Sequence, residues 1–222
     1  MPRETQAERT QRAGRIIEAL RSTYPNAHCE LNFSNPLELL IATILSAQCT
    51  DKQVNLVTPE LFRRYPTAAD YAQANPEELA HQIRRIGLFR NKAKNIQAAC
   101  VQLVQLHGGV VPADMDSLVA LPGVGRKTAN VVLGNAFDLN LGIVVDTHVA
   151  RLANRLKLTS ETDPVRIEQD LQKWVPRPQW TLFSHWLIWH GRRRCGARNP
   201  GCLSCEIRPL CPSAEKLIAR VA

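Results

Sequence analysis

The chain has 222 residues, a hydrophobic fraction of 45% and a formal net charge of +8 at pH 7. This length and composition are typical of a globular protein with one or two domains. They exclude a membrane-spanning protein, because the longest apolar runs are far shorter than the roughly 20 residues that a membrane helix needs. The charged N-terminal segment lacks the apolar stretch of a secretory signal, so we expect a cytoplasmic protein. The excess of basic residues favours a polyanionic partner, most simply nucleic acid.

Apolar residues recur at helical spacing along most of the chain. Over 7–22 they are interleaved with arginines, which predicts a basic amphipathic helix. Asn35-Pro36 and Asn75-Pro76 each predict a helix start, with asparagine as the cap and proline at the first helical position, and Asp51 is predicted to cap the helix between them. No run alternates long enough to require a strand, so the predicted fold class is all-α. The remaining helices are predicted over 91–107, 114–121, 126–137, 147–156, 164–174 and 180–191.

Four cysteines lie within 17 residues near the C-terminus, with the spacing C-x6-C-x2-C-x5-C. The glycines and prolines between them allow the backbone to wrap around one centre. Thiolates are soft ligands that select zinc or iron–sulfur clusters. Structural zinc sites usually contain two C-x2-C pairs and here one pair has that spacing, which favours iron–sulfur and leaves zinc open. Two disulfides are disfavoured because the other three cysteines are scattered through apolar segments, as in an intracellular protein. The candidate ligands are Cys195, Cys202, Cys205 and Cys211.

Residues 117–136 read SLVALPGVGRKTANVVLGNA and predict two short helices joined by a tight turn. Gly123 and Gly125 allow the backbone to approach a ligand closely, and the helix that begins at Arg126 presents its N–H groups to it. This is the helix–hairpin–helix pattern, and the anion it usually binds is a DNA phosphate. The alternative is a plain helical hairpin with a glycine turn.

Lys127 and Asp146 are the candidate catalytic residues. Lys127 lies in the first turn of a predicted helix, where the positive helix end and Arg126 disfavour an ammonium ion. A neutral lysine amine is a nucleophile that can form a Schiff base. Asp146 follows the apolar run 143–145 and is placed to cap the next helix. The alternatives are a solvated surface lysine and a purely structural cap.

These motifs together resemble the endonuclease III family of bifunctional DNA glycosylases/AP lyases, the iron–sulfur members of the helix–hairpin–helix superfamily. The resemblance covers roughly residues 10–212. It lies in the four cysteines and in the stretches ELNFSNPLELLIATILSAQCTD (30–51), RIGLFRNKAKNI (85–96), LPGVGRKTANVVL (121–133), VVDTHVARLANRL (144–156) and HWLIWHGR (185–192).

The resemblance implies an enzyme that removes oxidised pyrimidines from duplex DNA and then cleaves the abasic strand by β-elimination. Lys127 and Asp146 fall on the catalytic lysine and aspartate of the family, and the four cysteines fall on the ligands of a [4Fe–4S] cluster. The implied fold has a central six-helix domain over 29–140 and a cluster domain made of 1–28 and 141–222. The implied active site lies in a cleft between the two domains.

A further set of residues is expected to contact double-stranded DNA. Gln48 ends an apolar helix, and Leu88 follows a glycine in a basic turn; both are predicted to fill the gap left by an extruded nucleotide. Arg194 precedes the first cysteine and Arg198 lies between the first two, and both are expected to contact phosphates. We expect a monomer that acts on damaged or abasic DNA, associated with the nucleoid and not with a membrane. The hairpin contributes Gly123, Gly125 and Arg126 to the predicted DNA contacts.

Two other functions use the same motifs. A mismatch-specific glycosylase is close in fold and cluster, but adenine-mismatch relatives lack a lysine at the position of Lys127 and carry an extra C-terminal domain. A non-enzymatic iron–sulfur DNA-binding protein would leave the pair of Lys127 and Asp146 without a role. Both functions are therefore less favoured than the glycosylase/AP lyase.

Overall fold

The computed structural model describes residues 4–221 and divides into two compact units. The first unit combines the described residues up to His28 with those from Asn140 onward, and the second unit spans Cys29–Leu139. No β-strand occurs between residues 4 and 221, which confirms the predicted all-α class, and an isolated β-bridge pairs Cys195 with Pro200. Within the same range, none of the helices combines the length and apolar composition that crossing a bilayer requires.

The described residues form twelve α-helices, and short 3-10 turns lie between some of them. They are α1 (Gln6–Thr23), α2 (Pro36–Ser46), α3 (Asp51–Arg64), α4 (Ala68–Gln73), α5 (Pro76–Gln82), α6 (Phe89–His107), α7 (Met115–Ala120), α8 (Arg126–Ala136), α9 (Thr147–Arg155), α10 (Pro164–Gln172), α11 (Trp180–Arg193) and α12 (Ala214–Val221).

Polar side chains set the helix starts of the second unit. Asn35 accepts a hydrogen bond from the Glu38 N–H, and Asn75 accepts from the first turn of α5, which confirms both predicted Asn-Pro starts. The predicted cap of α3 is wrong by one residue. Thr50 is the cap, because its hydroxyl accepts from the Gln53 N–H, and Asp51 is the first helical residue.

Two helices lie outside the predicted set. The short helix α4 begins with a capping box in which Thr67 and Asp70 bond each other's backbone N–H groups. It brings the second unit to seven helices where six were expected, and its six residues are too few for a clear apolar period. The other is α12, which follows the last cysteine and packs against the turn that begins at Cys202.

Each unit has its own apolar core. In the second unit α2 is buried along Leu39–Leu45 and packs against α3, α6 and α8. In the first unit α11 packs against α1 and α9, with Leu20, Val149 and Phe183 in the core. These cores hold the hairpin of α7 and α8 in the second unit, and Asp146 and the four cysteines in the first.

Candidate functional site

The turn between α7 and α8 is a tight hairpin that is held in place by two buried apolar residues. Leu121 and Val124 are buried, and the Val124 N–H donates to the Leu121 carbonyl over 3.1 Å. Gly123 adopts φ +78°, and a Cβ atom there would lie 2.9 Å from Cβ of Asn95 on α6. Glycine is therefore required at position 123 by both the backbone angle and the packing.

Gly125 has a different reason to be glycine. Its backbone is extended, with φ −97° and ψ 173°, and a Cβ atom there would meet no protein atom within 4 Å. It occupies the N-cap position of α8, and as glycine it offers no side-chain acceptor for the first N–H groups of the helix. The beginning of α8 is thus open on its outer side and presents backbone N–H donors and a positive helix end, the features of an anion site.

Lys127 is the second residue of α8 and is exposed, directly after the exposed Arg126. Its position one residue inside the helix is fixed by the hairpin turn and by the buried Ala129 on the same helix, whose N–H bonds the Gly125 carbonyl over 3.0 Å. The primary amine is therefore carried on a rigid element and is accessible to a macromolecular ligand.

Asp146 caps α9, as predicted, and lies in the first unit. Its Oδ1 accepts the Val149 N–H over 2.8 Å, and the residue is half-buried. The preceding apolar segment is buried and is fixed by the Ser184 hydroxyl, which accepts the Val144 N–H over 2.9 Å. One carboxylate oxygen is engaged by the cap, so the other remains available for a positively charged ligand group.

The four cysteines line one cavity of about 340 Å³, a volume that includes the space at its mouth. The other walls are mainly apolar and include Leu152, Leu156, Ile207 and Leu217. Burial raises the pKa of three of the thiols, that of Cys205 to about 11. Among the described residues, no three Cys, His, Asp or Glu side chains meet closely enough to hold a single metal ion. The cavity therefore gathers soft ligands whose deprotonation needs a positive partner.

Two arginines of α9 brace the cysteine loop, and the sequence analysis missed both. Arg155 donates to Sγ of Cys195 over 3.0 Å and to the Gly196 carbonyl over 2.8 Å. Arg151 donates to the carbonyls of Gly191 and Cys195, each over 3.1 Å. The signal in the sequence is their spacing of four residues on one helix, but their partners lie about 40 residues further along the chain.

His190 connects the cysteine cavity to Tyr24, the residue that follows α1. Its Nδ1 shares a hydrogen bond with the Tyr24 hydroxyl over 3.0 Å, and its Nε2 lies 3.5 Å from Sγ of Cys205. Burial lowers the pKa of His190 to about 4 and raises that of Tyr24 to about 12. His190 is therefore a neutral structural histidine in the wall of the cavity.

The two predicted gap-filling residues share an unusual backbone conformation. Gln48 has φ +54° and Leu88 has φ +57°, although neither is glycine. Gln48 is exposed just after α2, and Leu88 is 60% exposed at the N-cap of α6. Left-handed backbone at a non-glycine residue costs free energy and often marks a functional position. Both side chains point away from the core of the second unit.

The two arginines of the cysteine loop differ in their surroundings. Arg194 donates to the Glu206 carboxylate over 2.7 Å and to the Ser204 hydroxyl over 3.1 Å, so part of its charge is compensated. Its pKa is raised, mainly because of the hydrogen bond to Glu206. Arg198 is exposed at the outer end of the loop. The structure thus places both guanidinium groups on the loop, with Arg198 the more accessible.

The structure brings together some of the predicted residues and not all. The four cysteines share one cavity, and Gly123, Gly125, Arg126 and Lys127 share one hairpin. Asp146 belongs to the first unit, and Lys127 belongs to the second.

A family model and similar known proteins indicate the same family for this chain. Residues 41–177 match the model of the HhH-GPD superfamily base excision DNA repair protein. Endonuclease III of Synechocystis sp. is 53% identical over 209 residues, which cover 94% of this chain and 95% of that protein. Endonuclease III of Bacillus subtilis is 46% identical over 201 residues, 90% of this chain and 91% of the relative.

Solved structures agree with these relatives. A non-covalent endonuclease III–DNA complex superposes with a TM-score of 0.90 at 45% identity and covers 95% of this chain and 98% of that one. A trapped endonuclease III–DNA covalent intermediate has the same TM-score of 0.90 and identity of 45%, covering 94% and 98%. A thermostable thymine-DNA glycosylase has a TM-score of 0.84 at 23% identity over 93% of this chain and 98% of that one, a likeness of fold alone.

Proposed function

The chain belongs to the endonuclease III family of HhH-GPD base excision DNA repair proteins, and on that premise we propose that it removes oxidised pyrimidines from duplex DNA. As a member of that family it is a DNA glycosylase and AP lyase. The observation that carries the assignment is Lys127, an exposed primary amine in the first turn of α8, next to the open anion site of the hairpin.

The proposed reaction begins with extrusion of the damaged nucleotide, because its glycosidic bond is inaccessible inside the duplex. The uncharged Lys127 amine attacks C1′ of the sugar, and the base leaves with the electrons of the glycosidic bond and takes up a proton. Loss of a proton from Nζ and opening of the sugar ring give a Schiff base between Nζ and C1′. Removal of a C2′ proton then breaks the bond from C3′ to oxygen and releases the 3′ phosphate.

Asp146 is proposed to stabilise the positive charge that develops on the sugar as the base leaves. The support is its local geometry. The hydrogen bond from the Val149 N–H to Oδ1 fixes the carboxylate at the start of α9. A fixed negative charge needs no reorganisation during the reaction, and such preorganised charge is a large contribution to catalysis.

We expect Asp146→Asn to slow single-turnover base excision by about 10²-fold while leaving stability nearly unchanged. Asparagine caps a helix as well as aspartate does, so this variant removes the charge and keeps the cap. Asp146→Ala is the matched control, since it also loses the cap and should cost about 1 kcal/mol in the free energy of unfolding. Unchanged excision by Asp146→Asn would leave the carboxylate with a structural role only.

The hairpin is proposed to bind a DNA phosphate. Gly125 leaves open space at the start of α8 and provides no side-chain cap for the first N–H groups of the helix. A phosphate oxygen would accept hydrogen bonds from these N–H groups, and Arg126 would add a positive charge beside it. Such a contact positions the duplex without reading its sequence.

The four cysteines are proposed to hold a [4Fe–4S] cluster, and the unit that contains them would be the cluster domain. The donor set fits, because four thiols line the walls of one cavity and Arg155 donates to one of them. In such a cluster each cysteine binds a different iron, so the ligands surround a cavity. When bound, the cluster would supply structure and a docking surface rather than hydrolysis, since all four cysteines are used as ligands and no position stays open for water.

Binding of undamaged duplex is expected to weaken steeply with salt, because the chain carries a net charge of +8 and an arginine-rich loop. This loop contains Arg194 and Arg198 and follows Arg192 and Arg193 at the end of α11. Arg198→Ala should lower the slope of log affinity against log salt by about one unit if the side chain contacts one phosphate. Arg194→Ala should do the same if its guanidinium exchanges Glu206 for a phosphate.

The salt titration is best measured by fluorescence anisotropy with Arg63→Ala as the matched control. Arg63 is an exposed, ion-paired arginine on α3 and has no proposed DNA contact. A slope unchanged by both loop substitutions would place the phosphate contacts on another surface.

Gln48 and Leu88 are proposed to occupy the space vacated by the extruded nucleotide. Both are exposed, and both are held in left-handed backbone. The amide of Gln48 can pair with the orphaned base, and the apolar side chain of Leu88 can enter the base stack. Filling this gap offsets part of the unstacking free energy of a few kcal/mol.

Gln48→Ala/Leu88→Ala should slow excision from duplex by at least about ten-fold and change lyase action on a single-stranded abasic oligonucleotide much less. A single strand has no stack to refill, so it isolates the chemistry. Leu106→Ala is the matched control, because Leu106 is 72% exposed at the other end of α6. A proportional loss on both substrates, or a large fall in melting temperature, would favour a structural role.

The function itself is tested with three duplexes in the presence of borohydride. They contain thymine glycol, an abasic site or an adenine mismatch. We expect excision of thymine glycol and covalent trapping on the first two duplexes. Excision confined to the adenine mismatch would instead indicate a mismatch glycosylase, and binding without any strand cleavage would indicate a non-enzymatic DNA-binding protein.

A further inference from the structure

Lys92 is a buried lysine in the second unit, 5% exposed, one turn inside α6. Its neighbours Ala93 and Ile96 are core residues, so an apolar side chain would be expected at this position. Burial disfavours the ammonium ion and lowers the pKa of Lys92. A buried charge is retained where it is well hydrogen-bonded, so the partners of this amine matter.

The Lys92 ammonium group bonds the end of α2. Nζ donates to the Leu45 carbonyl over 2.8 Å and to the Ala47 carbonyl over 2.6 Å. The last carbonyls of a helix lack partners within the helix and carry its negative dipole end. A lysine from another helix therefore caps α2, with short, charge-assisted hydrogen bonds.

The Ala47 carbonyl comes directly before Gln48, and the Leu45 carbonyl lies two residues earlier. The turn that follows α2 has the Cys49 N–H bonded to the Ser46 carbonyl over 3.0 Å, and it places Gln48 at φ +54°. Left-handed backbone at glutamine persists only when its surroundings fix it. The bonds from Lys92 hold the chain on the residue immediately before this conformation.

The same lysine is tied to the second exposed residue through its backbone. The Lys92 N–H donates to the Leu88 carbonyl over 3.1 Å and closes the first turn of α6. Leu88, the N-cap of that helix, has φ +57° and no side-chain cap. One residue thus joins the turn that carries Gln48 to the turn that carries Leu88.

We propose that Lys92 is a positioning residue that fixes Gln48 and Leu88 in one arrangement before DNA binds. The proposal rests on the proposed role of these two side chains as the filling of the vacated space. Preorganisation matters here because two turns that moved independently would lose conformational freedom on entering the duplex, and that loss would weaken stabilisation of the extruded state.

The test is Lys92→Met, which keeps most of the apolar stem and removes the three donors. It should slow single-turnover excision from a thymine glycol duplex by roughly ten-fold, because two carbonyls at the end of α2 lose their partner. Lyase action on a single-stranded abasic oligonucleotide should stay within about two-fold. Hydrogen exchange in this variant should be faster than in the wild type at the backbone amides of Cys49 and of residue 92.

A double-mutant cycle separates positioning from general destabilisation. In the background Gln48→Ala/Leu88→Ala, Lys92→Met should cause no further loss of duplex excision, because the residues it positions are gone. An additive loss in that background, or an equal loss on both substrates, would overturn the role of Lys92. If Gln48→Ala/Leu88→Ala itself shows no loss of excision that is specific to duplex DNA, the gap-filling role of these two residues is wrong. The positioning role of Lys92 is then wrong as well.

Two more variants keep the test decisive. Lys94→Met removes an exposed charge from the same helix, and the same defect in it would assign the effect to charge and overturn the proposal. If Lys92→Met does not fold, Lys92→Gln replaces it, since the amide keeps N–H donors without the charge. Lys92→Gln should lose less duplex excision than Lys92→Met. If Lys92→Gln excised from duplex at the wild-type rate and its amide exchange were unchanged, the positioning role would be contradicted.

Discussion

Replacement of Lys127 by alanine is expected to abolish covalent trapping on abasic DNA by borohydride and to slow strand cleavage by about 10³-fold or more. Without the amine no Schiff base forms, so the β-elimination has no electron sink. Alanine is the best helix former and Lys127 is exposed near the start of α8, so the fold and the hairpin should be preserved. The measurement is the fraction of enzyme crosslinked to a labelled abasic duplex.

Lys127→Arg is the control that separates chemistry from DNA affinity. It keeps a positive charge in the first turn of α8, so binding of undamaged duplex should stay close to that of the wild type. The guanidinium forms no Schiff base, so trapping should still be lost. Trapping of Lys127→Ala at the wild-type level would move the nucleophile to another residue.

Substitution of Cys202 by serine is expected to remove the iron and sulfide of the proposed cluster and to lower the melting temperature of the first unit by roughly 10 °C. Cys202 is buried in the wall of the shared cavity, which α12 helps to enclose. Without a bound centre, that cavity leaves Leu152 and Ile207 facing an unfilled space and three thiols without a metal. Affinity for duplex DNA should fall with stability, because the arginine-rich loop is no longer held.

The direct readout is analysis of iron and acid-labile sulfide, together with the visible absorbance that the proposed cluster would give. Cys100→Ala is the matched control, since Cys100 is buried in α6 of the other unit and should not affect the metal content. One zinc per chain without sulfide in the wild type would contradict the cluster and return the four cysteines to a zinc site.

Much of this architecture is readable from local sequence patterns. Three helix starts depend only on residues within three or four positions of each other, so the local sequence predicts them. They are the Asn-Pro starts of α2 and α5 and the cap of α9 by Asp146. The hairpin at 121–126 is equally local. Even the missed helix α4 has a readable start, because Thr67 and Asp70 form a capping box, although six residues are too few to show a period.

The remaining features depend on contacts between distant residues. The sequence alone predicts a surface lysine at position 92, on an amphipathic helix. Its burial is explained by hydrogen bonds to two carbonyls at the end of α2, 45 to 47 residues earlier in the chain. The bracing of the cysteine loop by Arg155 likewise joins residues 40 apart. The left-handed backbone of Gln48 and Leu88 has no marker either, because neither position is glycine or asparagine. Tertiary packing decides such features, and residue type does not.

The discontinuous course of the first unit imposes an order on biosynthesis. Its helix α1 leaves the ribosome before the whole of Cys29–Leu139, while α9, α11 and the cysteines that complete the unit follow more than a hundred residues later. The second unit is one uninterrupted stretch and can fold as soon as it emerges. Meanwhile Ile16, Ile17 and Leu20 of α1 stay exposed until their partners arrive. Folding of the first unit therefore has to wait until α9 and α11 have been synthesised, and until then the apolar face of α1 is accessible to chaperones and proteases.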